Sequence, residues 1–209
     1  MNTIARSVSN VFKGAFRAFQ TFPASIGCAF AFAVVTMIRI QLDWQQQETY
    51  HFLLSSLHWS FALGAIFSLA AITAEQSRLN RANTFLLANL SGILAAAVTF
   101  LALYSFGGTQ VSWADYTMVS SLAAARVGAA MLVSLIAFVI LAGDPDGPSG
   151  FTSSFFMAHK AFFIALLYGA VIMLGASGVA RAVQSLLYSA MSGKVYMYIG
   201  TIAGFLTFT

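Results

Sequence analysis

Five apolar stretches, at residues 22–42, 51–74, 85–106, 119–142 and 155–180, leave this chain few ways to fold. About twenty apolar residues in a helix cross the hydrocarbon core of a bilayer. Inside lipid there is no water to satisfy peptide groups, so the backbone must bond to itself within each segment. A membrane barrel would instead show alternating stretches of about 10 residues. No such alternation occurs along these runs. The sequence therefore predicts an all-α fold: a polytopic transmembrane helix bundle of about six membrane helices, preceded by an amphipathic interfacial helix.

Charge supports the same solvent. Apolar residues make up 59% of the 209-residue chain and charged residues only 8%, against about 25% charged in soluble domains. The formal net charge of +4 comes from scattered residues. No lysine/arginine stripe is present to neutralise a phosphate backbone, which argues against a nucleic-acid partner. Cys28 is the single cysteine. It has no intrachain disulfide partner, and no Cys/His spacing resembles a zinc site, so neither a metal nor a cofactor is expected.

Two regions follow from the pattern. In residues 1–21, Ile4, Val8, Val11, Ala15 and Phe19 recur at three- and four-residue steps that continue to Phe22, with Arg6, Lys13 and Arg17 largely opposite. Such a segment either lies in the headgroup plane or forms the basic region ahead of an uncleaved signal anchor. Both place the N-terminus in the cytoplasm. Residues 22–209 form the transmembrane region. Its last stretch, 195–209, is apolar but short, as though cut inside a sixth helix, and this leads us to expect a longer protein.

Cation counts give the orientation. Arg6, Lys13 and Arg17 flank the first span, and Arg78 and Arg81 sit in the loop after the second, whereas the first and third loops carry no Lys or Arg. An N-inside topology fits these four. It strains later, because Arg181 and Lys194 would then face outward. A re-entrant segment near residues 183–191 would relieve the strain.

Ionisable residues at membrane depth need a reason, since each costs at least about 2.5–3.5 kcal/mol. His159 and Lys160 follow the Gly/Pro-rich break at 143–150, whose sequence is GDPDGPSG. His159 is a candidate proton relay and Lys160 a candidate ligand for an anionic headgroup or substrate. The plainer alternative is interfacial anchoring, with Lys160 snorkelling. Arg126, in AAARVGAA, has neighbours too small to shield a guanidinium. It either pairs with Asp115 or Glu48 or binds a substrate anion. His51 and His58 share a helical face but lie about 10 Å apart along the axis, too far to hold one metal ion. We expect His51 at the interface and His58 facing the bundle. Arg39 lies near a span end, where it can snorkel. The small-residue pairs Gly200/Gly204 and Ala124/Gly128 suggest close helix packing. Gly175 and Gly178 mark either packing or a discontinuous helix lining a site.

The run FFMAHKAFFIALLYG, beginning at Phe155, resembles an uncharacterised bacterial multi-pass membrane family, domain of unknown function 4153 (DUF4153). VIMLGASGVA, AVQSLLY, MSGKVY and the stretch from Gly200 to Phe208 fit the same pattern. The similarity is most specific over 155–208. It implies a protein of the bacterial inner membrane, often with further helices and another domain. It implies no reaction or substrate. Arg181 departs from the pattern, where a small residue is expected.

No HExxH, GxSxG or phosphate-binding loop occurs, and no two carboxylates share a membrane helix face, so an enzyme has the least support. Two function classes remain. One is a transporter- or channel-like module whose path runs near Arg126 and His159–Lys160 through a polar cavity at mid-membrane depth. The other is a structural or signalling membrane domain that anchors or regulates a further C-terminal part. The bilayer is the expected partner, with a membrane-protein partner or a second copy also open.

Overall fold

The structure is a computed structural model and describes residues 13–14, 16–42, 44–79, 82–111, 117–143 and 150–208. It is helical throughout apart from one small hairpin. Six helices follow residues 16–21, which are themselves helical: α1 (Pro23–Gln41), α2 (Trp44–Ala74), α3 (Ala82–Phe106), α4 (Ser121–Leu141), α5 (Gly150–Leu186) and α6 (Lys194–Phe208). A π-turn, Glu75–Leu79, ends α2. Most of the N-terminal amphipathic segment, residues 1–12 and 15, lies outside the described residues, as do Asp115, Asp144 and Asp146.

Among the described residues, five helices are long and apolar enough to cross a membrane, and by that measure the chain is a membrane protein. They match the five expected spans closely. The extra α-helix at the C-terminal end, α6, has 15 residues, in keeping with the short sixth stretch. Two expectations fail. The segment near 183–191 is not re-entrant: α5 runs on to Leu186, and a turn leads into α6. Nor is α5 interrupted at Gly175 and Gly178, through which it passes as one 37-residue helix. The loop before α4 also contains structure that sequence did not foresee. Strands β1 (Thr109–Val111) and β2 (Thr117–Val119) pair antiparallel, with Gln110 opposite Met118.

Local sequence explains where elements begin. Pro23 enters α1 in its first turn, where a missing N–H costs no helical bond. The Ala24 N–H donates to Asn89 Oδ1 on α3 at 3.1 Å, so a side chain from another helix satisfies one orphan donor of that terminus. Gly108 opens the hairpin with φ +65°, a left-handed conformation that glycine adopts without penalty. Ser120 caps α4 by accepting from the Ala123 N–H, and its hydroxyl donates to Gly107 O.

The centre of the bundle is α2, on which α1, α3 and α4 all pack. Lipid is as apolar as leucine, so helices in it associate through close fit rather than through escape from water. The contact face of α2 shows this. Ser56, Ser60, Gly64 and Ser68 repeat every four residues, and all four are buried. Each serine hydroxyl donates to the carbonyl one turn back, on Phe52, Ser56 and Gly64 respectively, so no polar hydrogen faces hydrocarbon. On α3, Gly92 and Ala96 meet this ladder. A Cβ at Gly92 would stand 2.2 Å from Ser68 Cβ, and one at Gly64 would stand 2.7 Å from Ala96 Cβ. The approach is possible only with glycine at both places. Beside it, Leu63, Leu103, Val119 and Val127 form an apolar cluster joining α2, α3, β2 and α4.

The glycines singled out from sequence are not the ones that matter. A Cβ at Gly128, Gly175, Gly178 or Gly204 would meet nothing within 4 Å, and one at Gly200 only the end of Met173 at 3.9 Å. Close packing through Gly200/Gly204 and Ala124/Gly128 is therefore absent. α6 instead rests on α5 beside Gly169, near Thr207, and on α1, where Phe30 and Phe205 meet edge to face at 5.8 Å.

Successive helices run in opposite directions. Ser25 Oγ donates to Ala65 O and Thr36 Oγ1 lies against His58, which pairs α1 with α2 antiparallel. Lys194 Nζ donates to Gln41 O at 3.1 Å, so the start of α6 lies at the same end as the close of α1. One end of the bundle thus carries the N-terminal flank and the Glu75–Leu79 turn. The other carries Arg39, the β-hairpin and Lys194.

Candidate functional site

The three residues favoured from sequence lie on the outer surface. Arg126, on the second turn of α4, is exposed, as are His159 and Lys160 on α5. His159 Nδ1 donates to Phe155 O one turn back at 2.9 Å, and its ring lies tilted against that of Phe155, centroids 4.0 Å apart. Its polar group is therefore turned onto its own helix. Lys160 lies about 15 Å along α5 from Gly150 at 1.5 Å per residue, and α5, at about 55 Å, is far longer than a hydrocarbon core of about 30 Å. Lys160 can reach headgroups from there. Arg126 lies near the opposite end of the bundle, because α4 runs against α5 where Ser154 Oγ donates to Val139 O. The expected path between Arg126 and His159–Lys160 is not formed. The suggested partners of Arg126 fall outside what is described: Asp115 wholly, and Glu48 in its side chain.

Polar side chains gather elsewhere, along the seam where α1, α2 and α6 meet. Two cavities lie on it. The outer one, of about 430 Å³, is lined by Arg39, His51, Lys194, Thr36, Met118 and Met197 among others. The inner one, of about 380 Å³, is lined by Thr36, His58, Thr201, Phe32, Gly204 and Phe205 among others. Thr36 borders both, so they lie next to each other along α1. Ala29, on the wall of the inner cavity, lies about 18 Å from Gln41 along α1 at 1.5 Å per residue. The seam therefore reaches more than halfway through a helix that is about 29 Å long.

Bonding along the seam orders its side chains. Arg39 Nη2 approaches His51 Nε2 at 3.4 Å. A guanidinium can only donate, so His51 Nε2 accepts and its proton is on Nδ1. His51 is 4% exposed, buried against the neighbouring helices at the end of the bundle that carries Arg39. The Thr36 hydroxyl donates to Phe32 O at 2.9 Å and lies 3.3 Å from His58 Nδ1. Its proton is already in use, so His58 Nδ1–H donates to Thr36 Oγ1. The His58 ring also rests on Phe32 at 4.1 Å. His58 faces the bundle and is hydrogen-bonded, as the sequence reading expected. At the outer end, Tyr198 OH donates to Gln41 Oε1 at 2.6 Å, beside the Lys194 contact, and the two bonds tie α6 to the C-terminal end of α1.

Sequence reasoning missed this constellation although its members were visible. Arg39 and Lys194 were read one span at a time, and α6 was set apart as a fragment. One signal was available: Arg39, His51 and His58 all fall in or next to apolar runs that fold against each other across a short loop. Nothing in the pattern indicated that α6 returns to close the same seam.

A third cavity, of about 680 Å³, lies between α1, α2 and α3 and is almost wholly apolar, with Cys28 in its wall. Among the described residues, no group of three His, Cys, Asp or Glu side chains is placed to hold a metal ion. Nor does any buried side-chain nitrogen or oxygen among them lack a hydrogen-bond partner. No family model, no curated protein and no solved structure matches the chain.

Proposed function

We propose that the protein is a transporter-like module of a bacterial inner membrane, not an enzyme, with its N-terminus in the cytoplasm and its solute path along the α1–α2–α6 seam. The supporting observation is the adjacency of two cavities along that seam. In a chain with only 8% charged residues, Lys194, Arg39, His51, Thr36, His58 and Thr201 line two adjoining cavities that run from one end of the bundle to mid-depth. Polar groups inside a membrane bundle are costly and gather on substrate or ion pathways. The inner-membrane location rests on the resemblance of residues 155–208 to DUF4153, and the orientation on the cations before α1 and after α2. Arg126 and Lys160, on the outer faces of α4 and α5, are assigned to lipid headgroups.

Thiol labelling tests the path. In a Cys28→Ala background, Thr36→Cys and Thr201→Cys are expected to react with a membrane-impermeant methanethiosulfonate added to the outside of intact cells. Leu132→Cys, on an exposed face of α4, is expected not to react. If neither seam position reacts from either side of the membrane, the path is closed. The protein is then better read as a structural or signalling membrane domain, a reading that the tight α2–α3 crossing favours.

A further inference from the structure

We infer that the apolar cavity between α1, α2 and α3 is a groove for one acyl chain of an anionic phospholipid, whose headgroup lies against Arg17 and Gln20. The groove is separate from the α1–α2–α6 seam, and the inference does not depend on the transport reading. Its volume is about 680 Å³. Ala24, Cys28, Ser60 and Ala96 are buried and form its floor, whereas Gly27, Leu86 and Ile93 are exposed and form its rim. Both α1 and α3 pack on α2, and they are joined to each other at Ala24 and Asn89. The space beside that joint is the groove, and its exposed rim opens outward into the membrane.

The lining selects hydrocarbon. The polar side chains on its wall, Asn89 and Ser60, spend their bonds inside the bundle. Asn89 Oδ1 accepts from the Ala24 N–H at 3.1 Å, and Asn89 Nδ2 donates to Phe85 O at 2.9 Å. Ser60 Oγ donates to Ser56 O, and the Cys28 thiol acts as a small apolar group. A buried water needs roughly two to four polar partners, and this wall offers too few. An empty space would cost the wall its dispersion contacts. Hydrocarbon fills it without either cost. On α3 the groove runs from Phe85 to Phe100, about 22 Å at 1.5 Å per residue. That is more than half of a hydrocarbon core of about 30 Å, so a chain from one leaflet lies in it over its whole depth.

Charge at the mouth selects the headgroup. Pro23 and Phe85 put the mouth at the end of the bundle that carries the N-terminal flank. The helical residues 16–21 run into α1 through the bonds from Phe22 N to Ala18 O and from Ile26 N to Phe22 O. Arg17, Gln20, Ala24 and Gly27 follow one another at steps of three and four residues, so they share one helix face. Ala24 and Gly27 line the groove, which sets Arg17 and Gln20 in line with it. Along the axis, Gln20 stands about 4.5 Å and Arg17 about 9 Å beyond Pro23, at the depth of the headgroup layer. Both are exposed, and exposed Lys13 adds a second cation one turn further out on that face. The positive-inside tendency accounts for cations at this end but not for their register with the groove. A guanidinium holds a phosphate through parallel N–H donors, which fits a phospholipid whose chain lies below.

Lipid retention and crosslinking test the groove. The full chain is purified in dodecyl maltoside and mixed with equal amounts of dioleoyl phosphatidylglycerol and dioleoyl phosphatidylcholine. Native mass spectrometry then reads what is retained. A second sample receives phosphatidylglycerol with a diazirine in one acyl chain, and irradiation maps where that chain lies. Phosphatidylglycerol is expected to be preferred roughly fivefold or more, since one basic residue near an anionic surface contributes about that factor. Crosslinks are expected on residues 24–28 and 85–100. Nothing lies within 4 Å of a Cβ at Gly27, so Gly27→Phe fills the groove without moving backbone. That variant is expected to lose phosphatidylglycerol retention while still unfolding cooperatively. Lys13→Gln combined with Arg17→Gln is expected to level the two headgroups and leave the crosslinks in place. Crosslinks spread over the outward faces of α4 and α5, or retention that Gly27→Phe does not change, overturn the groove. Groove crosslinks without headgroup preference in the unaltered chain overturn the anionic assignment. A lipid-free dimer joined through residues 85–100 overturns the lipid in favour of a second copy.

Discussion

The helices α2 and α5 are the two longest in the bundle and both are apolar enough to cross a membrane, yet they meet opposite surroundings. In α2, 39% of the membrane window is buried against other helices, and in α5 none of it is. The face of α2 is a ladder of serines and glycine, whereas α5 presents Phe156, Leu167, Leu174 and Val179 outward, each more than 60% exposed. The difference shows what drives association in a lipid solvent. Large apolar side chains gain little by leaving lipid for protein, so they remain on its surface. Small ones allow backbones to approach, and the contacts made there decide the packing. Polar function follows the same division. The seam with Arg39, His51 and His58 is on the packed side of the molecule, while His159 and Lys160 face outward on α5.

The sharpest way to break this comparison is to put a large side chain into the α2–α3 crossing. Gly92→Leu must displace Ser68, whose Cβ and Cα stand 2.2 and 3.0 Å from the position of a new Cβ. Because backbone has to move, a loss of about 3 kcal/mol, the upper part of the overpacking range, is expected in reversible unfolding in detergent. Unchanged stability would show that the crossing is looser than described. A smaller effect is expected where α6 joins the packed half. Tyr198→Phe removes the bond to Gln41 Oε1 and should cost about 1 kcal/mol, with increased proteolysis in the turn before α6. The smallest effect is expected on α5. Gly178→Ala adds a methyl group where nothing lies within 4 Å, so stability should change by no more than about 0.5 kcal/mol. Any gain would come from the better helix propensity of alanine. A large loss at Gly178 would mean that α5 packs against another molecule in the membrane.

Much of this architecture was legible residue by residue. The spans were visible because lipid imposes one requirement on every residue of a crossing helix, and that requirement is written as an uninterrupted apolar run. His58 was correctly placed facing the bundle for the same kind of reason, since a polar ring in such a run must find a partner within the protein. The close-packed glycines were a different matter. GxxxG at Gly200/Gly204 matched a known pattern but makes no close backbone approach, a Cβ at Gly200 meeting only the end of Met173 and one at Gly204 nothing within 4 Å. Ser56, Ser60, Gly64 and Ser68 carry the same spacing, and the serines disguised it.

Composition and hydrophobic run length thus settled the solvent, the helical class and the number of long spans, because these depend on each segment and its surroundings alone. Which faces touch was decided by the tertiary structure. The return of α6 onto α1 brings Lys194 to Arg39 across most of the chain length, and no local pattern encodes a contact between segments so far apart. An apolar run fixes that a helix enters lipid. Only the fit of one helix surface against another fixes its neighbour, and with it the cavity between them.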